Sequence, residues 1–94
     1  MTNELKADTL YDIEDIEKQY QDLKLVYKVG KGEWADFLYY IPSKGVYIEK
    51  GPFGTHDAVC FKLCDFTDET GAREWKSRVE SFWKTHYPKI KLDS

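Results

Sequence analysis

Apolar residues recur along this chain at two spacings, and the switches between them divide it into six elements. Over residues 7–23, ADTLYDIEDIEKQYQDL, the positions Leu10, Ile13, Ile16, Tyr20 and Leu23 return every three or four residues. That is the period of one helix face. Thr9 with Asp12 three positions on matches a capping-box start, and acids crowd the first turns, where the helix dipole favours them. From Leu23 the period falls to two. Leu23, Leu25, Tyr27 and Val29 alternate with Lys24 and Lys28, as in a half-buried strand. GKGE interrupts, and WADFLYYI and VYIEK read as two further strands joined by PSKG. Pro42 presets φ for a type I turn, and Gly45 can take the left-handed position that closes it.

The hairpin register follows on paper. If Ile41 faces Val46, then Tyr40 faces Tyr47, Tyr39 faces Ile48 and Leu38 faces Glu49. Phe37, Tyr39, Ile41, Val46 and Ile48 share one face, expected to be the core; Leu38, Tyr40, Tyr47 and Glu49 share the other. A bulge at Gly45 would slip this pairing by one. DAVCFKLCDF is a fourth strand, with Val59, Phe61 and Leu63 on one side and Ala58, Cys60, Lys62 and Cys64 on the other. Residues 67–87 form a second helix with Trp75, Val79, Phe82, Trp83 and His86 on its stripe, Thr67 or Asp68 as its cap, and Pro88 past its end. KIKLDS is a short edge segment or a tail.

The expected fold class is therefore α+β, a single antiparallel four-stranded meander in the order α-β-β-β-β-α. Both helices are expected on one face of the sheet, leaving the second face to solvent or a partner. Residues 1–7 are a flexible lead, 8–88 the single domain and 89–94 the C-terminal tail or edge segment.

Composition changes this picture in two places. Of the 94 residues 16% are aromatic, more rings than a small core readily hides, so some are expected on a contact surface. Residues 1–22 hold seven acids against two lysines, a balance of −5, whereas residues 23–94 hold ten acids and twelve bases, a balance of +2. The net charge of −3 argues against a protein held to nucleic acid by phosphate contacts. The polar start MTNELKADTL is not a secretory leader, and no apolar run reaches the roughly 20 residues of a membrane span. The expectation is a cytoplasmic protein, of a cell or an infected host, with its two cysteines reduced.

The stretch EKGPFGTHDAVCFKLCDF, residues 49–66, raises the question of metal or nucleophile chemistry. His56, Cys60 and Cys64 fall on one side of an extended strand, but neighbours four residues apart there are about 13 Å distant at about 3.3 Å per residue. One zinc ion cannot bridge that gap, nor can a disulfide or a Cys–His dyad. No metal and no cofactor is expected. GKGEW lacks the spacing of a phosphate loop, and the acids Asp12, Glu14, Asp15 and Glu17 read as the wet side of the first helix.

A binding surface is left. Its candidate residues are Trp34, Leu38, Tyr40 and Tyr47 around the second sheet face, with Phe53 and His56 on the loop over residues 51–57. The function expected is that of a small non-catalytic module acting by protein–protein contact or by sequestering a small ligand. Inhibitors, immunity proteins and host-takeover factors of mobile elements share its size and lack of catalytic motifs. A protein partner is expected first; a small ligand or a homodimer through the same face are the other occupants. Two alternatives stand beside it: single-stranded nucleic-acid binding through Tyr40 and Tyr47 flanked by Lys28 and Lys62, and a small Cys/His enzyme.

Overall fold

The hairpin that the sequence registers is the centre of the structure. The computed structural model describes residues 5–32, 35–51 and 59–89. Within them β3 (Asp36–Ile41) and β4 (Val46–Gly51) pair antiparallel, with Ile41 against Val46, Tyr40 against Tyr47, Tyr39 against Ile48 and Leu38 against Glu49. Gly45 takes φ +65° and donates its N–H to the Ile41 carbonyl at 2.8 Å. The turn closes without a slip because glycine pays no Cβ penalty in that conformation.

Around this hairpin the described residues form a sheet of five strands rather than four, in the order β1-β5-β4-β3-β2, every neighbouring pair antiparallel. Here β1 is Leu10–Tyr11, β2 is Lys24–Val29 and β5 is Cys60–Leu63. The additional strand comes from the segment expected to be helical. Asp8 sits at φ +57°, a left-handed conformation that breaks a right-handed helix and that Asp tolerates better than most residues. Leu10 and Tyr11 then pair with Lys62 and Phe61. The first helix, α1, spans only Ile13–Gln19 and begins at Asp12, while the Thr9 hydroxyl turns back to the Ala7 carbonyl. Because β1 and β2 lie at opposite edges of the sheet, α1 bridges the two edges in the chain path.

The helices lie on opposite faces, which corrects the expectation of one shared face. Ile16 and Tyr20 of α1 pack with Ile41, Ile48 and Phe61. The second helix, α2 (Glu69–His86), packs Ala72, Trp75 and Trp83 against Val29, Leu38 and Tyr47. Adjacent residues of a strand point to opposite faces, so Tyr47 and Ile48 mark two separate cores. A sheet apolar on both sides requires cover on both, and α2 supplies the second cover. Asp68 caps α2, accepting the Gly71 N–H at 2.8 Å. Of its expected stripe, Phe82 is instead half exposed and stacks on His86, ring centroids 4.2 Å apart.

The β2 strand departs from strict alternation. Its pairing with β3 shifts between Leu25 and Tyr27, so Val26 forms a bulge and Leu25 leaves the face that Tyr27 and Val29 share. No helix of the described residues is long and apolar enough to cross a membrane.

Gly30, at φ +98°, follows β2 where the Trp83 indole lies directly over its α-carbon, and a methyl group there would collide with the ring. Gly32 has the same left-handed backbone with open space around it. Gly32→Ala is therefore expected to cost about 1–2 kcal/mol for the backbone alone. Gly30→Ala is expected to cost about 3 kcal/mol or more, the same backbone term plus overpacking. Urea unfolding followed by circular dichroism measures both; equal losses would mean that the Trp83 contact contributes nothing.

Candidate functional site

Three regions carry side chains suited to chemistry or recognition, and the strands place each of them. The first is the face under α2. Asp36 on β3 and Glu49 on β4 point to this side with Leu38 and Tyr47. The indole Nε1 of Trp83 donates to Asp36 Oδ2 at 2.8 Å, and that of Trp75 to Glu49 Oε2 at 2.6 Å. Burial raises the pKa of both carboxyls above the ordinary range, and the indole N–H bonds offset part of that effect. Both line a shallow cleft of about 290 Å³ with Trp75, Arg78, Val79 and Phe82. Its lining among the described residues holds no thiol, imidazole or hydroxyl to serve as a nucleophile. The sequence put Asp12, Glu14, Asp15 and Glu17 on the wet side of the first helix and singled out no carboxylate for chemistry; Asp36 and Glu49 were missed because acids within a strand read as its wet side.

The cysteines occupy the same layer. Cys60 is buried and its thiol lies 4.0 Å from the Gly51 carbonyl oxygen. Cys64 packs at the margin of the α2 core, and its N–H donates to the Tyr47 carbonyl at 3.0 Å. Burial raises both thiol pKa values, with the Glu49 carboxylate adding to the shift at Cys64. Low-pKa thiolates, the reactive form, are not what this layer favours. Among the described residues no group of three His, Cys, Asp or Glu side chains could hold a metal ion. His86 places its Nδ1 3.0 Å from the Phe82 carbonyl oxygen, at the end of α2.

The second region is the sheet face that holds α1. Lys28 and Lys50 both place their ammonium groups over the Phe37 ring, at 5.8 Å and 5.3 Å from its centroid. The register aligns the three across β2, β3 and β4. Tyr39 follows with its ring 6.4 Å from that of Phe37. Phe37 belongs to neither buried cluster.

The third region is the outer edge of β2, against which no other strand of the described residues pairs. Leu25 is 53% exposed and Val26 37% exposed, and Lys24 and Lys28 are exposed beside them. Between this edge and the start of α2 runs a groove of about 560 Å³. Leu25, Val26 and Tyr27 line one side, Asp68 and Arg73 the other, and the Tyr40 and Tyr47 rings, 4.7 Å apart, are also in its lining.

Of the expected binding residues, Leu38 is fully buried and Tyr47 is 6% exposed. The second face is thus a core and not an open surface, because α2 covers it. Tyr40, half-buried, keeps access through the β2 groove. Trp34, Phe53 and His56 lie outside the described residues, as does the rest of the loop over residues 52–58. Leu25 and Val26 escaped the sequence reading because the alternation seemed to turn Leu25 inward; only the bulge exposes it.

No protein-family model, no curated protein and no solved structure matches this chain.

Two outcomes follow from the α2 layer. A carboxyl whose folded pKa is raised contributes stability that is fully present below its unfolded pKa and lost as pH rises through the folded value. Glu49→Gln keeps an acceptor for the Trp75 N–H and removes the desolvated charge. The variant is expected to be more stable than the parent at pH 7, with the difference shrinking towards pH 4; a constant difference across that range would refute the assignment. Cys60 and Cys64 are expected to react with a thiol-specific disulfide reagent at pH 8 about tenfold or more slowly in the folded protein than in guanidinium. Equal rates would contradict their burial.

Proposed function

We propose that this chain is a small non-catalytic binding module that acts by protein–protein contact through the β2 edge and its adjoining groove. The observation that carries the reading is the exposed aliphatic pair Leu25–Val26 on the longer of the two sheet edges. A free edge presents unpaired backbone donors and acceptors, and an extended segment of another chain can add to it as a further strand. The bulge at Val26 and the lysines on either side are devices that keep an edge from pairing indiscriminately. Such protection has no need of two exposed aliphatic side chains, whereas a selective contact has. The groove adds aromatic surface from Tyr27 and Tyr40, residues of the kind that dominate interface energetics. Accessory roles such as inhibition, immunity or host takeover fit a module that works by occupying a partner.

A second reading, single-stranded nucleic-acid binding, is favoured by Phe37 between Lys28 and Lys50. A ring flanked by cations is the unit on which bases stack. It would use the α1 side of the sheet and not the Tyr40–Tyr47 pair.

Affinity capture from the cells in which the protein acts tests the first reading. The double variant Leu25→Asp/Val26→Asp is expected to recover at least about tenfold less of any partner bound by the parent, the loss of a small hot spot. Phe82→Ala, on the exposed side of α2, is expected to stay within about twofold. Undiminished capture by the edge variant, with its folding confirmed by circular dichroism, would rule the edge out.

A further inference from the structure

The groove between β2 and the start of α2 gathers tyrosine hydroxyls that the fold itself does not use. The register sets Lys24 opposite Tyr40 and Tyr40 opposite Tyr47, one row on the α2 side of the sheet. The Tyr47 ring is buried, at 6% exposure, beside those of Tyr40 and Phe66. Its hydroxyl has no hydrogen-bond partner among the described residues, where no unpartnered side-chain oxygen or nitrogen is sealed from solvent. The hydroxyl therefore opens into the groove that Tyr47 lines. Burial raises its pKa, and Glu69, Tyr40, Tyr27 and Asp68 raise it further, so at neutral pH it is a phenol that both donates and accepts. The hydroxyls of Tyr27 and Tyr40, in the same lining, are equally without a partner among the described residues.

We infer that this groove binds a neutral saccharide. Its charged lining, Lys24 and Arg73 against Asp68 and Glu69, balances to zero, so it selects an ion of neither sign. Asp68 gives Oδ1 to the Gly71 N–H, and Glu69 turns Oε2 to Arg73 at 3.9 Å. Each carboxylate keeps a second oxygen that a ligand hydroxyl can donate to. An anion would meet those oxygens, and a cation would meet Lys24 and Arg73. Vicinal hydroxyls on an uncharged frame suit both, and they match three phenols that donate and accept alike. The C–H face of a sugar ring rests on an aromatic ring, whose body is apolar and whose tip is polar. Tyr40, half-buried, supplies that ring, because Lys76 already lies over the Tyr27 ring at 5.2 Å from its centroid. The groove's volume of about 560 Å³ falls within the roughly 300–1,000 Å³ of small-molecule sites. The contact uses side chains of the groove and not the backbone of β2, so it stands or falls separately from the edge reading above.

The test uses the full chain, labelled with nitrogen-15 and titrated separately with maltose, cellobiose, N,N′-diacetylchitobiose, tetramethylammonium chloride and sodium benzoate. At least one of the three disaccharides is expected to shift the amide resonances of Lys24, Tyr40 and Tyr47 together with those of residues 67–73, with a Kd of about a few millimolar or tighter. Tyr47→Phe, which removes only the unpartnered hydroxyl, is expected to weaken that binding about three- to tenfold, the loss of one hydrogen bond, and to leave the thermal midpoint within a few degrees. Tyr40→Ala, its folding confirmed by circular dichroism, is expected to weaken it at least about tenfold. Capture of a protein partner is expected to be unchanged by Tyr47→Phe. No shift with any disaccharide up to about 50 mM, or tighter binding of tetramethylammonium or benzoate in the groove, would overturn the inference and leave the edge reading standing. Disaccharide binding undiminished in Tyr47→Phe, or shifts confined to residues away from the groove, would overturn the assigned site.

Discussion

Two indole N–H groups, each given to a carboxylate on the sheet, govern how this fold is put together. Trp75 and Trp83 project from α2 onto a sheet face that carries Asp36 and Glu49 among Leu38, Tyr40 and Tyr47. A carboxylate under a helix without a donor would cost several kcal/mol in lost hydration. With the indoles in place, the same face accepts a helix, and the apolar surface around the acids becomes core. The contact also depends on the absence of a side chain at Gly30, since the Trp83 ring occupies that space.

Once α2 is docked, the rest of the surface follows. Both faces of the sheet are occupied, one by α2 and the other in part by α1, so among the described residues the edges are where the backbone remains available. The two edges are not equivalent. β1 is two residues long and offers little to pair with. β2 is six residues long, bulged, basic, and carries exposed Leu25 and Val26. The uneven charge of the chain acquires a spatial meaning here: acids gather on α1, while β2, which starts two residues after Asp22, is without them. The short α1 also leaves Phe37 outside the buried clusters, between its two lysines.

The hairpin, its register and its closing glycine were legible in the sequence, and the cap of α2 was narrowed to Thr67 or Asp68, of which the structure uses Asp68. Each rests on residues within a few positions of one another, where turn chemistry, period and capping decide the outcome. The candidate site was less legible. Leu38 and Tyr47 read as a surface because Glu49 shares their face, and an acid in an alternating strand ordinarily signals water. That its hydrogen bond would come from Trp75, 26 positions away, has no local signature. The apolar character of both faces was the available clue that two covers were needed.

By itself the sequence determined the α+β class, the central hairpin with its pairing, the long second helix and the balance of charge between the two ends. These depend on local backbone preference and on the spacing of apolar residues. Tertiary structure alone decided that Leu10 and Tyr11 join the sheet instead of a helix, that the helices take opposite faces, and that Leu25 is turned outward. In each case a long-range contact outweighs local preference: the pairing of Leu10 and Tyr11 with Lys62 and Phe61, the indole–carboxylate bonds beneath α2, and the Val26 bulge against β3.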